Sequence, residues 1–217
     1  MSEETEDLWL FGYGSLIWKP PPHFESPATS KATFAASGSQ DHRGTPEAPG
    51  RVVTLIDRQI WETLTDQHAS APPRVWGAAY RIPAPHVAEV KQYLDIREIN
   101  GYSIQYTPFN KPQDMSATYQ TVHSAPESQH NTAIPAEIPR CLVYIGLPEN
   151  PQFLGPQDPQ KLAEHIMRSR GPSGENRDYL FQLEEALDGL SRESGDEHVT
   201  DLARRCRVIE DAGPRHR

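Results

Sequence analysis

Apolar residues along this chain fall into short blocks, which polar and proline-rich stretches separate. In the N-terminal two-thirds these blocks are short and rich in β-branched or aromatic residues, a pattern typical of strands. The strands predicted in this way are Leu8–Phe11, Arg51–Ile56, Val75–Ile82, Ile104–Tyr106, Ala117–Val122 and Cys141–Gly146. Residues 25–40 are small and polar with little periodicity, so the pattern predicts no element there.

The C-terminal third repeats its apolar residues at three- and four-residue steps, which is the period of a helix. Asp158-Pro159 forms a suitable N-cap and first turn, and Gly171 is expected to end that helix. Further helices are predicted over Pro85–Leu94, from near Gly174 through Leu180, Leu183, Leu187 and Leu190, and over 198–209. Strands first and helices late predict an α+β domain, with a sheet or barrel closed by the C-terminal helices.

The length of 217 residues predicts a single domain over 1–217, because two full domains would be cramped. Residues 123–139 are rich in Ser, Pro, His, Gln and Glu and are expected to form a flexible insertion. The termini are expected to be short and disordered.

Composition and charge exclude several classes of protein. The formal net charge of −9 disfavours a nucleic-acid binder, which needs a basic face for phosphates. No apolar run approaches about 20 residues, so we expect no membrane partner, and the acidic N-terminus does not resemble a secretory signal. Cys141 and Cys206 are expected to be buried thiols rather than a disulfide, which indicates a cytoplasmic protein.

The segment Gly12-Tyr13-Gly14-Ser15-Leu16 is the first candidate for chemistry. Its two glycines directly follow a predicted strand and allow close approach of a ligand to the main chain. Such a loop can direct N–H groups at a carbonyl oxygen, or it can be an ordinary glycine turn. It lacks the sequence of a phosphate-binding loop, and Ser15 lacks the GxSxG context of a nucleophile.

Glu98 is the second candidate, because it follows a helical pattern and lies among apolar and tyrosine residues. Burial there would raise its pKa and make it a better base, although the local pattern alone favours a surface ion pair at a helix end. Asp41-His42-Arg43 is better explained as a turn than as a metal site, since no second histidine stands at ligand spacing.

Five blocks in the same order resemble the ChaC family of γ-glutamylcyclotransferases, in particular its glutathione-specific branch and its fungal members. They are FGYGSLIW at 11–18, DHRGTPEAPGRVVTL at 41–55, YLDIREINGY at 93–102, YIGLPENPQFLGP at 144–156 and GPSGENRDYL at 171–180. The resemblance implies the γ-glutamylcyclotransferase-like fold, a small mixed β-barrel with helices packed around it. It also implies a lyase that cleaves glutathione to 5-oxoproline and cysteinylglycine, with neither a metal nor an organic cofactor.

The resemblance also assigns roles to residues. The catalytic glutamate of the family matches Glu98. The substrate-binding stretch of the family matches Leu10, Phe11, Gly12, Tyr13, Gly14, Ser15 and Leu16. Tyr102, in the same block as Glu98, and Arg51 are further substrate-binding candidates. Family members usually carry a basic-aromatic strand before the DHRG block. Here the shorter segment Phe34–Gln40, without arginine or tryptophan, predicts that a barrel strand is missing or rebuilt.

Glutathione ends in a carboxylate, and a protein of net charge −9 needs a local cation to hold it. Arg51 and Arg43 are the candidates, unless they pair with structural carboxylates such as Asp41 or Glu47. Three functions therefore remain open at this point. They are a glutathione-specific cyclotransferase, a cyclotransferase for other γ-glutamyl amines or peptides, and a ligand-binding homologue without activity.

Overall fold

The fold was analysed in a computed structural model that describes residues 6–30, 35–39, 42–65, 75–97, 102–110 and 137–212. The strands are β1 Leu8–Gly12, β2 Glu25–Ser30, β3 Ala35–Ser39, β4 Gly50–Thr54, β5 Gly77–Ile82, β6 Tyr102–Asn110, β7 Glu137–Gly146, β8 Arg170–Gly171 and β9 Gly174–Glu175. The helices are α1 Arg58–Trp61, α2 Val87–Arg97, α3 Pro159–Arg168, α4 Asn176–Leu190 and α5 Glu197–Ala212. Short 3-10 turns cover Gly14–Leu16 and Ala84–His86. None of these helices is both long and apolar enough to cross a membrane.

A mixed sheet in the order β2-β5-β1-β7-β6 is the centre of the fold. Strand β1 pairs antiparallel with β5 and parallel with β7, and Leu10 lies opposite Tyr80 and Leu142 in the two ladders. Strands β3 and β4 form a separate antiparallel hairpin, as do β8 and β9. The predicted mixture of strands and helices is confirmed, while the described strands form an open sheet and separate hairpins rather than a closed barrel.

Helices cover both faces of the central strand. Leu10 belongs to an apolar cluster with Val87, Val90 and Leu94 of α2, whereas Phe11 belongs to a second cluster with the C-terminal helices. Successive side chains of a strand point to opposite faces, so an unbroken apolar run is needed where both faces are buried. This explains why the sequence Leu8–Phe11 carries no polar residue.

The predicted C-terminal helices are confirmed. Asp158 caps α3, because its side chain accepts a hydrogen bond from the backbone N–H of Lys161 at 2.9 Å, and Pro159 is the first helical residue. The apolar residues predicted for α4 are all buried, namely Leu180, Leu183, Leu187 and Leu190. Helix α3 ends at Arg168, before Gly171, because residues 170–171 pair with β9 instead.

Two strands of the structure are not among those that the sequence predicts. Residues 25–30 and 35–39 form β2 and β3, although they were expected to form no element. Strand β2 is held by its register with β5, a partner distant in sequence, so no local pattern marks it. Before the DHRG block, β3 pairs with β4 along its whole length.

Other sequence predictions fall partly or wholly outside the described residues. The strand predicted over Ala117–Val122 lies outside them, and so do the first and last few residues of the chain. The insertion predicted over 123–139 lies outside them up to residue 136, whereas its last three residues begin β7. Both cysteines are buried and neither forms a disulfide, as the sequence predicted.

We expect Leu183→Ala to lower the free energy of unfolding by about 2–5 kcal/mol, because this side chain is fully buried between α4 and its neighbours and its loss leaves a cavity. Val208→Ala on α5 is the matched control, since Val208 is 59% exposed and its truncation should change stability by less than about 0.5 kcal/mol. Urea denaturation of the three proteins measures both effects, and equal losses would contradict the assigned core.

Candidate functional site

The glycine loop, residues Gly12–Leu16, follows the buried strand β1 directly. Tyr13 is extended, and Gly14 has a φ of +60°, which begins the 3-10 turn over Gly14–Leu16. Within this turn Leu16 N donates to Tyr13 O at 3.4 Å and Ile17 N donates to Gly14 O at 3.0 Å. The loop is therefore a tight turn that is fixed at one end by the sheet.

Tyr80 of β5 fixes the end of the loop through its side-chain hydroxyl group. Its hydroxyl group donates a hydrogen bond to the carbonyl of Leu16 at 2.7 Å and lies 3.2 Å from the carbonyl of Ile17. Gly12 is required here, because a Cβ atom at this position would come within 2.8 Å of Leu16 Cβ and 2.9 Å of the Tyr80 ring. The main chain of the loop is thus held against a buried aromatic side chain.

Tyr179 of α4 closes the loop from the other side. A Cβ atom on Gly14 would lie 3.0 Å from both the Tyr179 hydroxyl and the Val53 side chain. The same hydroxyl accepts a hydrogen bond from Val53 N at 3.3 Å, and the Tyr179 ring lies 5.5 Å from that of Trp18. Sequence analysis did not single out Tyr179, although it lies in one of the family blocks, because a tyrosine on a helix gives no local sign of a site.

The predicted substrate-binding residues of the loop differ in their burial and in their polar groups. Leu10 and Phe11 are buried in the two apolar clusters, so their side chains support the strand. The Tyr13 hydroxyl is buried, which raises its pKa well above the usual value, and Asp196 and Tyr179 add to this effect. Ser15 is the half-buried member, and its hydroxyl accepts a hydrogen bond from Arg97.

Arg97 connects the end of α2 to the glycine loop. Its Nη2 donates to Ser15 Oγ at 2.9 Å, and its Nη1 donates to the carbonyl of Lys19 at 2.8 Å and to the Tyr93 hydroxyl at 3.2 Å. Helix α2 packs on the same face of the sheet as Leu10, which places its last turn beside the loop. Sequence analysis did not predict this contact, since 82 residues separate its partners.

Glu98 lies outside the described residues, which resume at Tyr102. Tyr102 begins β6 and lies opposite Gly146 of β7, with its ring 6.5 Å from that of Tyr144 in an edge-on contact. The structure thus places the residue before Glu98 on the glycine loop and Tyr102 at the end of the β6–β7 ladder. The roles of Glu98 and Tyr102 stay predictions.

Arg51 is half-buried at the start of β4. Its guanidinium donates to the carbonyls of Pro49 and Gly50 at 2.9 and 3.0 Å and, through Nε, to Gln157 Oε1 at 3.4 Å. In the part of the chain that the structure describes, these hydrogen-bond partners are all uncharged. Burial lowers the pKa of Arg51 from its usual value, which fits a cation without a carboxylate beside it.

Arg43 is more deeply placed than Arg51. It is 6% exposed, its Nη1 donates to the carbonyl of Glu175 at 2.8 Å, and its guanidinium lies 5.7 Å from the centre of the Tyr179 ring. This hydrogen bond joins the predicted DHRG turn to β9. The turn itself is confirmed by reciprocal backbone hydrogen bonds between Thr45 and Ala48 at 3.1 Å. Arg43 therefore has a structural position, and Arg51 is the better-placed cation.

Two buried donors near these residues lack a hydrogen-bond partner within the described structure. They are the indole N–H of Trp18, whose ring contacts Tyr179, and the amide nitrogen of Gln157, whose oxygen bonds to Arg51. Buried polar groups are nearly always satisfied, so these two donors can each take an acceptor from water or from a ligand. An anionic or carbonyl-rich ligand fits this chemistry.

Comparisons with known proteins find similar sequences and a similar solved structure. The family model for ChaC-like proteins matches residues 8–208. A glutathione-specific γ-glutamylcyclotransferase of Schizosaccharomyces pombe is 40% identical over 200 residues, which are 90% of each chain. Its counterpart in Saccharomyces cerevisiae is 35% identical over 208 residues, 86% of this chain and 88% of that one. A crystal structure of a yeast γ-glutamylcyclotransferase specific to glutathione aligns with a TM-score of 0.76 at 30% identity, covering 97% of this chain and all of the other.

We expect Gly14→Val to lower the free energy of unfolding by about 2–5 kcal/mol, because it adds a β-branched side chain at positive φ against Tyr179 and Val53. Gly155→Val is the matched control, since Gly155 has the same φ of +60° but nothing within 4 Å of an added Cβ. It should cost only about 1–3 kcal/mol. Equal losses in urea denaturation would show that Tyr179 does not crowd the loop.

Proposed function

The chain belongs to the family of ChaC-like proteins, and on that premise we propose that it is a glutathione-specific γ-glutamylcyclotransferase. It cleaves glutathione to 5-oxoproline and cysteinylglycine. The match over residues 8–208 and the similarity to two fungal enzymes of that name support this activity. The single observation that carries the assignment of the site is the hydrogen bond from Arg97 to Ser15.

The reaction is an intramolecular aminolysis. The α-amine of the glutamyl residue attacks its own γ-carbonyl carbon, a five-membered lactam forms, and the bond to the cysteinyl nitrogen breaks. The amine must lose a proton and the leaving nitrogen must gain one, so one carboxylate can move the proton from the first atom to the second. Because both reacting groups belong to one molecule, the enzyme mainly holds the glutamyl chain in the attacking geometry.

Glu98 is assigned as the group that moves the proton. It follows Arg97 directly in the sequence, and Arg97 is anchored on Ser15 and Lys19. A carboxylate within reach of the main-chain turn could take the proton from the amine of a substrate whose γ-carbonyl rests on that turn. The assignment of Glu98 rests on its match to the family's catalytic glutamate.

The glycine loop is assigned to the oxygen of the γ-carbonyl, which gains negative charge as the lactam closes. The internal hydrogen bonds of the turn use the amides of Leu16 and Ile17, so the amides of Gly14 and Ser15 are the donors assigned to this oxygen. Tyr80 and Tyr179 hold the turn from two sides, and a fixed donor needs no reorganisation during the reaction. This chemistry requires neither a metal nor an organic cofactor.

Arg51 is assigned to the terminal carboxylate of the cysteinylglycine part. Its guanidinium has uncharged hydrogen-bond partners in the described residues. One of these partners is the side-chain oxygen of Gln157, and the amide nitrogen of the same side chain has no hydrogen-bond partner there. A planar guanidinium pairs with both oxygens of a carboxylate, and the neighbouring amide can add a further donor. This pair accounts for affinity toward an anion in a protein of net charge −9.

We further propose that the central sheet and the β3–β4 hairpin belong to one small barrel within a single domain over 1–217. The backbone N–H of Gly146, at the end of β7, donates to the carbonyl of Leu55 at 2.7 Å, just beyond β4, and this bond supports the link between the two. Glutathione is a small-molecule partner, and the burial of both cysteines as free thiols supports a cytoplasmic location.

Glu98→Gln should reduce the turnover of glutathione by about 10²–10⁴-fold while glutathione still binds, because the amide cannot accept the proton. Release of 5-oxoproline measures turnover, and calorimetry measures binding. Asp95→Asn is the matched control, because it neutralises an exposed carboxylate in the last turn of α2, three residues before Glu98 in the sequence, and should leave turnover unchanged. A Glu98→Gln enzyme that keeps more than about a tenth of wild-type kcat would overturn the role assigned to Glu98. If the wild-type protein released no 5-oxoproline from glutathione, the proposed activity would be wrong and a ligand-binding protein would be favoured.

Arg51→Ala should raise the KM for glutathione by about 10–100-fold, the loss expected for a charge-assisted hydrogen bond of about 1.5–3 kcal/mol. The inhibition constant of a γ-glutamyl amide without the cysteinylglycine part should change little. Arg51→Lys keeps the charge but loses the planar guanidinium, so its KM for glutathione should lie between those of the wild type and Arg51→Ala. Arg58→Ala is the control, because Arg58 is exposed and pairs with Glu62. Equal losses for both compounds would assign Arg51 to the scaffold.

A further inference from the structure

Two histidines and a glutamate meet on the surface at the start of α2. His23 lies in the turn before β2, His86 ends the 3-10 turn before α2, and Glu89 is in the first turn of α2. Their candidate ligand atoms all lie within 4.8 Å of one another. Because 63 residues separate the two histidines in sequence, no motif spacing could have indicated this cluster.

The geometry of the three side chains is close to that of a metal site. Glu89 Oε1 lies 3.1 Å from His23 Nε2, and Glu89 Oε2 lies 4.0 Å from His86 Nδ1. Ligands of a tetrahedral zinc ion, with bonds of about 2.0–2.1 Å, are roughly 3.3 Å apart. The carboxylate thus lies beside one nitrogen of each imidazole, at distances close to those between ligands of one ion.

The two imidazole rings require one adjustment. They stack with centroids 4.1 Å apart and an angle of 5° between their planes, so one ion cannot lie in both ring planes. The side chains of His23 and His86 are 38% and 42% exposed, so there is room for either ring to rotate about its χ2 bond. Binding of one ion by two ring nitrogens and one carboxylate oxygen therefore requires one of the rings to rotate.

The backbone holds the three residues in these positions. His23 has a φ of 56° and is the only non-glycine residue with positive φ in the described part of the chain. His86 and Glu89 are three residues apart in a continuous helical segment, which places them on the same face. That segment is fixed at its start, because Ala84 N donates to Asp7 Oδ1 at 3.0 Å and His86 N donates to the carbonyl of Pro83 at 2.9 Å.

We propose that His23, His86 and Glu89 bind a divalent transition-metal ion, with water completing the coordination. Two imidazoles and one carboxylate suit Zn²⁺, Ni²⁺ or Cu²⁺ and do not suit Ca²⁺ or Mg²⁺, which prefer oxygen ligands. With neutral histidines the cluster has a charge of −1, which favours a cation. The ion would join the turn before β2 to the start of α2.

This site is separate from the proposed reaction centre. Helix α2 has eleven residues, so its two ends are about 16 Å apart along the axis. Arg97 at the far end contacts the glycine loop, whereas Glu89 lies in the first turn. The ion therefore acts as a clamp on the fold rather than as a participant in the chemistry, and the proposal does not depend on the activity.

Calorimetric titration of the untagged wild-type protein with ZnCl₂ tests the proposal. We expect one site that His23→Asn and Glu89→Gln each weaken by at least about tenfold, because loss of a direct ligand should cost no less than loss of an outer-sphere partner. Asparagine tolerates positive φ, so His23→Asn preserves the backbone, and Glu89→Gln preserves the size of the side chain. His198→Asn on α5 is the control, because it removes a histidine outside the proposed site and should leave zinc affinity unchanged.

Cobalt provides a second measurement on the same proteins. Four-coordinate Co²⁺ absorbs visible light strongly, and we expect this absorption in the wild type and in His198→Asn but not in Glu89→Gln. The absence of zinc binding to the wild type would overturn the proposal. Unchanged zinc affinity in the double variant His23→Asn/Glu89→Gln would also overturn it, as would equal loss in His198→Asn.

Discussion

Burial of β1 on both of its faces is the constraint on which the rest of this structure depends. Strand β1 pairs with β5 on one edge and β7 on the other, while Leu10 and Phe11 enter apolar clusters on opposite faces. Burying such side chains contributes roughly 1.5–3 kcal/mol each, so the strand has little freedom to move. The glycine loop continues directly from this strand, and its main chain is therefore as well fixed as the core.

The site is built by bringing three sequence-distant elements to the end of that strand. Helix α2 contributes Arg97, α4 contributes Tyr179, and β4 contributes Val53 and, in the proposed function, Arg51. Each is held by apolar packing elsewhere in the element, so polar groups at the site need not provide the stability of the fold. This division lets Arg51 keep uncharged hydrogen-bond partners within the described residues, an arrangement that would be costly in an unsupported loop.

Sequence alone predicted those parts of the molecule in which local pattern and burial agree. The apolar run of β1 and the leucine repeat of α4 both report the faces that they bury, and both predictions are confirmed. Strands β2 and β3 were missed because pairing with distant partners, rather than side-chain pattern, forms them. The contact between Arg97 and Ser15 and the cluster around Glu89 were missed for the same reason, since each joins segments more than 60 residues apart.

The burial of the two thiols has a consequence for the proposed activity on glutathione. Thiols exchange with disulfides through their thiolate form, and burial raises the pKa of Cys141 to about 12 and that of Cys206 to about 11. At neutral pH a thiol with a pKa near 12 is ionised in about one molecule in 10⁵. Neither sulfur is exposed to attack by a bulky tripeptide disulfide. Burial and a raised thiol pKa both disfavour mixed disulfides with the oxidised form of the proposed substrate.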